Sequence, residues 1–227
     1  MIRNIFIIVL FSVFFSNSLF AQQYMLYEVY NNSDVGFGIQ DTTSFNLNFV
    51  CTGPLNNGYG IPIGGYIDNY HQTQNWAVPQ DGNNNFSVRN GIFGVTRDGK
   101  PVLIGYDDIY KGSYDLKWAF QNGPILVEDS INLSSNSTSR NYRAGIGFKA
   151  GGKIIVIITK EALTFKEFSE LFLKNGCINA IYLNGSSILG GYLGYSFGAG
   201  TNEQRLGLNF KKAIKLQFFH QGVITQK

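Results

Sequence analysis

Cysteine and histidine are nearly absent: Cys51, Cys177, His71 and His220 are the whole complement in 227 residues. That scarcity excludes paired-cysteine zinc patterns and the His-Glu-x-x-His helix, and it leaves no histidine at a recognisable spacing from a thiol nucleophile. No glycine-rich run is followed by the lysine and hydroxyl of a phosphate loop. Charge is sparse as well. The formal excess is +3, one unit of it from Arg3, and no basic stripe is interleaved with stacking aromatics. Lys211, Lys212 and Lys215 read as the wet face of one element, so nucleic acid is not an expected partner. Long apolar runs are confined to the front of the chain. Nothing later approaches the roughly eighteen residues of a membrane helix, so no stable membrane insertion is expected.

What the front does contain fixes an expectation of export. Arg3, the apolar run from Ile5 to Phe15, and the exit Ser16-Asn17-Ser18-Leu19-Phe20-Ala21 have the order of a secretory signal peptide. Cleavage after Ala21 makes 1–21 the signal and 22–227 the mature chain, secreted to a periplasmic or extracellular compartment. About 206 residues then remain, enough for one substantial core. An oxidising compartment permits Cys51 and Cys177 to pair, and the sequence leaves that pairing open.

The mature chain reads as strand-rich with few helices. Tyr24 to Tyr30 and Phe45 to Val50 are expected strands, with Asn31-Asn32-Ser33-Asp34 a turn between them. Residues 56–85, rich in Gly, Asn and Gln, read as a long surface excursion, either lining a cleft or simply irregular. Phe93 to Thr96 and Pro101 to Ile104 flank Arg97-Asp98-Gly99-Lys100, a hairpin signal. Ala144 to Phe148 and Lys153 to Thr159 flank Ala150-Gly151-Gly152 in the same way. One helix stands out: Thr164 caps it, Glu167 completes a capping box, and Phe165, Phe168, Leu171 and Phe172 recur with helical spacing as core packing. Asn175-Gly176 stops it and Cys177 to Leu183 begins the next strand. This pattern predicts one α+β domain, its sheet mixed but largely antiparallel, with a parallel crossover through the packed helix.

The chemistry-bearing junction follows that strand. Cys177 to Leu183 ends abruptly in Asn184-Gly185-Ser186-Ser187, an amide, a glycine and two hydroxyls that fit the floor of a polyol or phosphate site. The same string fits an ordinary strand and turn. It lacks the Gly-x-Ser-x-Gly of a nucleophile elbow. Asp107 and Asp108, with backbone oxygens, are the residues through which a divalent cation is open. Adjacent aspartates point apart in a strand, so no resident cofactor or metal is expected.

Three ordered segments carry a resemblance: Phe120-Gln121-Asn122-Gly123-Pro124-Ile125-Leu126-Val127, then Asn136 to Gly147 with Arg140-Asn141-Tyr142-Arg143-Ala144-Gly145, and last the helix with Ala180 to Ser187. Together with Arg89-Asn90-Gly91-Ile92-Phe93 they resemble the secreted phosphodiester glycosidases, which include the enzyme that uncovers mannose 6-phosphate by removing N-acetylglucosamine. The resemblance runs from about Asn85 to Ser187, with a weaker extension to Asn46. It implies hydrolysis of a sugar joined through its anomeric oxygen to phosphate, with a glycan or sugar-phosphate as ligand. It implies catalytic roles for Arg143, Asn184 and Asn122, with Arg143 forking onto phosphate oxygens. Arg140, Gly185, Ser186 and Ser187 would bind substrate.

Two departures stand beside it. The family strand end reads leucine, aspartate, glycine where this chain has Leu183-Asn184-Gly185, and Cys51-Thr52-Gly53-Pro54 replaces a glycine-containing asparagine motif. A carboxylate can stabilise a positively charged sugar ring or accept a proton, whereas an amide only orients. Asp107, Asp108, Asp129 or Glu128 could supply the missing charge. The departures leave open a catalytically inactive carbohydrate-binding or structural descendant, and leave Arg143 an alternative role as an ion-pair residue.

Overall fold

The computed structural model describes residues 24–29, 35–38, 49–52, 63–79, 90–133, 137–184, 189–192, 195–198, 215–218 and 222–226. The expected signal at 1–21 and the turn at 31–34 lie outside them. Strands β1 to β6 are Tyr24–Val29, Val35–Gly38, Phe49–Thr52, Tyr66–Asp68, His71–Gln74 and Gly91–Thr96. Strands β7 to β12 are Pro101–Gly105, Leu116–Asn122, Ile125–Glu128, Ile131–Asn132, Ala144–Lys149 and Ile154–Thr159. Helix α1, Phe165–Lys174, precedes β13 to β17 at Cys177–Asn184, Leu189–Tyr192, Tyr195–Gly198, Lys215–Phe218 and Gly222–Gln226.

These strands form three sheets rather than the single expected one. The first has the order β10-β9-β13-β11-β12-β1-β17, the second β5-β4-β8-β6-β7, and the third β15-β14-β3-β16-β2. The fold is α+β, and among the described residues every ladder is antiparallel. The expected mixed sheet is therefore corrected to an antiparallel one, while the expected parallel crossover through the helix is present. Helix α1 does cross over between β12 and β13, which run in the same direction, but β11 lies between them and is antiparallel to both.

Side-chain alternation builds the layers. Strand β12, Ile-Ile-Val-Ile-Ile-Thr, is buried on both faces and so reads as a continuous apolar run. Ile154, Val156 and Ile158 enter a core with Phe93, Val95, Trp118 and Phe120 of the second sheet, while Ile155 and Ile157 pack with Phe168, Leu171 and Phe172 of α1. Burying each of those three helical side chains is worth about 1.5–3 kcal/mol. Close approach of the helix depends on β11: a Cβ on Gly147 would lie 2.6 Å from the Asn179 carbonyl and 3.0 Å from the Phe172 ring.

The helix ends as its sequence directs. Thr164 accepts from the Glu167 amide, and the Glu167 carboxylate accepts from the Thr164 amide at 2.8 Å. At the other end Asn175 Nδ2 donates to the Leu171 carbonyl at 2.7 Å, and Gly176 turns the chain at φ 82°.

Residues 66–74, read from the sequence as part of an excursion, contain a hairpin. Its turn residues Asn69 and Tyr70 have φ of 44° and 69°, left-handed values that cost a non-glycine residue about 1–2 kcal/mol. Tyr70 is held there by its amide donating to the Lys117 carbonyl at 2.7 Å and by the Arg97 guanidinium 4.3 Å over its ring.

Candidate functional site

The ends of three strands meet where β8, β11 and β13 come together. Asn122 closes β8 and is fully buried; its Nδ2 donates to the carbonyls of Tyr182 at 2.6 Å and Leu183 at 2.9 Å. One side-chain amide thus ties the second sheet to the end of β13, just before Asn184. Asn184 is placed by its backbone opposite Ala144, the residue that follows Arg143, with a register shift in the ladder at that point. Asn122, Arg143 and the Asn184 backbone therefore belong to one end of the molecule. Gly185, Ser186 and Ser187 lie outside the described residues.

Arg143 is 2% exposed and carries the main buried charge of this end. Its guanidinium carbon sits 3.7 Å over the Phe165 ring and 5.8 Å from the centre of the Tyr182 ring. Nε donates to the Leu163 carbonyl at 2.7 Å and Nη2 to the Ser139 carbonyl at 3.0 Å. Burial pushes its pKa below the ordinary arginine value, opposed by Tyr182 and the charge of Glu167. Burial likewise pushes the Tyr182 hydroxyl up to about 12, against the lowering influence of the neighbouring Arg143 charge. Among the described residues no carboxylate is ion-paired with Arg143. Phe165, read from the sequence as part of the core stripe, is half-buried: it packs against that core and also serves as the stacking surface for this cation.

Arg140 is placed differently. It is exposed, pairs with Glu167 at 2.8 Å and donates from Nε to the Ala162 carbonyl at 3.1 Å, so its charge supports the helix cap.

The carboxylates considered as substitutes scatter. Asp107 and Asp108 sit on a 3-10 turn, Tyr106–Asp108, rather than in the expected strand, and Asp108 pairs with Lys111 at 2.8 Å. Asp129 is exposed in the β9 to β10 turn and Glu128 is half-buried at the end of β9. Among the described residues no three His, Cys, Asp or Glu side chains are grouped to hold a metal ion. Cys177 is a buried free thiol.

Two supporting residues escaped the sequence reading. Gln121 is buried; its Oε1 accepts from the amides of Gly65 at 3.1 Å and Ala77 at 2.7 Å, and its Nε2 donates to the Ala77 carbonyl at 2.6 Å. It pins both ends of the β4 to β5 hairpin beside Asn122. Asn90 Oδ1 accepts from the Ile125 amide at 3.0 Å, joining the start of β6 to β9. The available signal was a pair of amides, Gln121-Asn122, closing an otherwise apolar strand. Gly194-Tyr195-Ser196-Phe197-Gly198 has nucleophile-elbow spacing, but Tyr195–Gly198 is strand β15 in a ladder with β14, not a strand-to-helix turn.

Comparison with known proteins agrees with this architecture. YigE, an uncharacterized protein of Escherichia coli (strain K12), is 28% identical over 141 residues, covering 56% of this chain and 54% of that protein. The match thus spans about half the length of that relative. The catalytic domain of zebrafish N-acetylglucosamine-1-phosphodiester alpha-N-acetylglucosaminidase, auto-inhibited by its pro-peptide, superimposes with a TM-score of 0.57 over 88% of this chain and 73% of that one. At 13% identity that likeness is one of fold. The phosphodiester glycosidase family model matches residues 46–205, most of the chain, and the protein belongs to that family.

Proposed function

We propose that the chain hydrolyses glycan phosphodiesters, releasing a sugar from a sugar-1-phosphate linkage. The observation that carries this reading is the buried Arg143 guanidinium, walled by Phe165 and Tyr182 and without a carboxylate partner among the described residues, beside the end of β13. A buried cation of this kind is completed by an anion, and phosphate oxygens match its remaining donors. Water attacks the anomeric carbon, the carbon to phosphate-oxygen bond breaks with its electron pair leaving on phosphate, and the water proton passes to solvent. Phosphate leaves more readily than a sugar alcohol, so charge stabilisation and positioning outweigh general-acid help. Arg143 would hold the leaving phosphate, while Asn184, Ser186 and Ser187 orient sugar hydroxyls. Asn122, fully buried with its amide donated to the Tyr182 and Leu183 carbonyls, positions the end of β13 instead of touching substrate as the resemblance implied. Residues 1–21 direct export and 22–227 form the mature domain.

A second reading, an inactive carbohydrate-binding descendant, is favoured by Asn184 at the position where the resemblance expects aspartate. Incubating the protein with a panel of sugar-1-phosphate diesters, with released sugar detected directly, separates the two. Turnover supports hydrolysis, and Asn184→Asp is then expected to preserve or raise it. Saturable glycan binding without turnover in either form would establish the binding reading instead.

A further inference from the structure

The edge of the second sheet at β7 opens into a cleft of about 330 Å³. That is the lower end of the roughly 300–1,000 Å³ range of small-ligand sites. Leu103 and Gly105 of β7, Asp108, Lys111, Tyr114 and Glu128 line it, so residues from two sheets and the intervening turn converge there. None of them belongs to the Arg143 site.

Its chemistry is selective. Tyr114 is 39% exposed, and its ring rests against Gly112, where an added Cβ would meet the ring at 2.6 Å. The ring is therefore packed against Gly112 and left partly open to solvent at the cleft. Asp108 and Lys111 are joined at 2.8 Å, while Glu128 has no ion-pair partner among the described residues. Two carboxylates against one ammonium disfavour a phosphate or another anion. The charged lining disfavours a lipid chain, and among the described residues no third carboxylate, histidine or cysteine joins the group to hold a metal.

We propose that this cleft is a second binding site, for one uncharged or amino-substituted saccharide ring. A pyranose presents a C–H face that stacks on Tyr114 and hydroxyls that donate to Glu128 and Asp108 while accepting from Lys111. The choice of a saccharide rests on the glycan reading of the family given above. The position suits it: Gly105, Gly91 and Asn122 lie in one row across β7, β6 and β8, two strand spacings or roughly 10 Å apart. A ring held in the cleft would thus lie about two strands from the end of β8 and extend recognition along a glycan beyond the scissile linkage.

The test is saturation-transfer NMR on the purified protein with free glucose, glucosamine and N-acetylglucosamine, at millimolar concentrations, repeated on Tyr114→Ala, Glu128→Gln and Arg143→Met. Far-UV circular dichroism establishes that each variant is folded, and the isosteric Glu128→Gln provides an independent variant should Tyr114→Ala not fold. At least one sugar is expected to bind, with affinity reduced about fivefold or more in the two cleft variants and retained in Arg143→Met. Binding lost in Arg143→Met but kept in the cleft variants would overturn the proposal, as would no binding of any sugar by the folded wild type. Diester turnover is assayed separately, so failed hydrolysis alongside cleft binding counts against the enzymatic reading alone.

Discussion

Replacing Arg143 with methionine separates a structural arginine from one held for an anion. The substitution keeps the length of the stem and removes the charge. It deletes two charge-assisted hydrogen bonds, to the carbonyls of Leu163 and Ser139, each worth about 1.5–3 kcal/mol, and a desolvated cation–π contact worth about 2 kcal/mol. Against that loss stands the relief of a buried charge, itself several kcal/mol. Leu163 is not orphaned, because its carbonyl still accepts from the Asn141 amide at 3.0 Å. The opposing contributions nearly cancel, so Arg143→Met is expected to change stability by no more than about 2 kcal/mol. Its response to anions should change far more. If wild type binds inorganic phosphate through Arg143, phosphate at one hundred times its Kd raises unfolding free energy by about 2.7 kcal/mol, and the variant gains nothing. Urea denaturation with and without phosphate at constant ionic strength measures both quantities. An equal phosphate response in the two proteins would refute the anion assignment. So would a loss above about 5 kcal/mol in Arg143→Met, because the fold itself would then account for the buried charge.

Thr164→Ala removes one half of the capping box and should lower stability by about 1 kcal/mol, read as a shifted urea midpoint at unchanged slope; an unmoved midpoint would show that Glu167 caps the helix alone. Burial pushes the Cys177 thiol up to about 12, so in a Cys51→Ser background the folded protein should resist a disulfide reagent at pH 8 and react once denatured. Rapid native labelling would contradict that burial. Glu28 is partly desolvated, which raises its pKa, but Lys149 at 2.8 Å and Lys153 at 2.9 Å outweigh this and hold it below the ordinary 4.5. A lowered folded pKa gives stability that is present above 4.5 and lost as pH falls through the folded value. Glu28→Gln should therefore reduce the acid-side slope of stability against pH, and parallel slopes for the two proteins would rule the linkage out.

Local chemistry made several elements legible. Asp98-Gly99 and Gly151-Gly152 mark turns because glycine takes left-handed backbone without penalty, and Gly99 and Gly152 do so at φ of 82° and 77°. Thr164 and Glu167 announce a helix start because they satisfy each other's backbone amides. Other turns gave no such sign. Asn69-Tyr70 and Asp129-Ser130 adopt left-handed backbone without glycine, held by partners distant in sequence. Tyr70 donates to Lys117, Ser130 donates to Ile178 at 2.8 Å, and the Asp129 amide donates to Asn179 Oδ1 at 3.2 Å.

The candidate site divides along the same line. The sequence by itself nominated Asn184, as the polar end of an apolar run, and added Asn122 and Arg143 only through the resemblance to the phosphodiester glycosidases. Only the tertiary structure decided how two of those side chains are used. Asn122 spends its amide on the carbonyls of β13, and Arg143 lies stacked on Phe165 with two donors engaged. Hydrogen-bond partners and burial come from strands far apart along the chain, and sheet order and register bring them together; no local pattern encodes either.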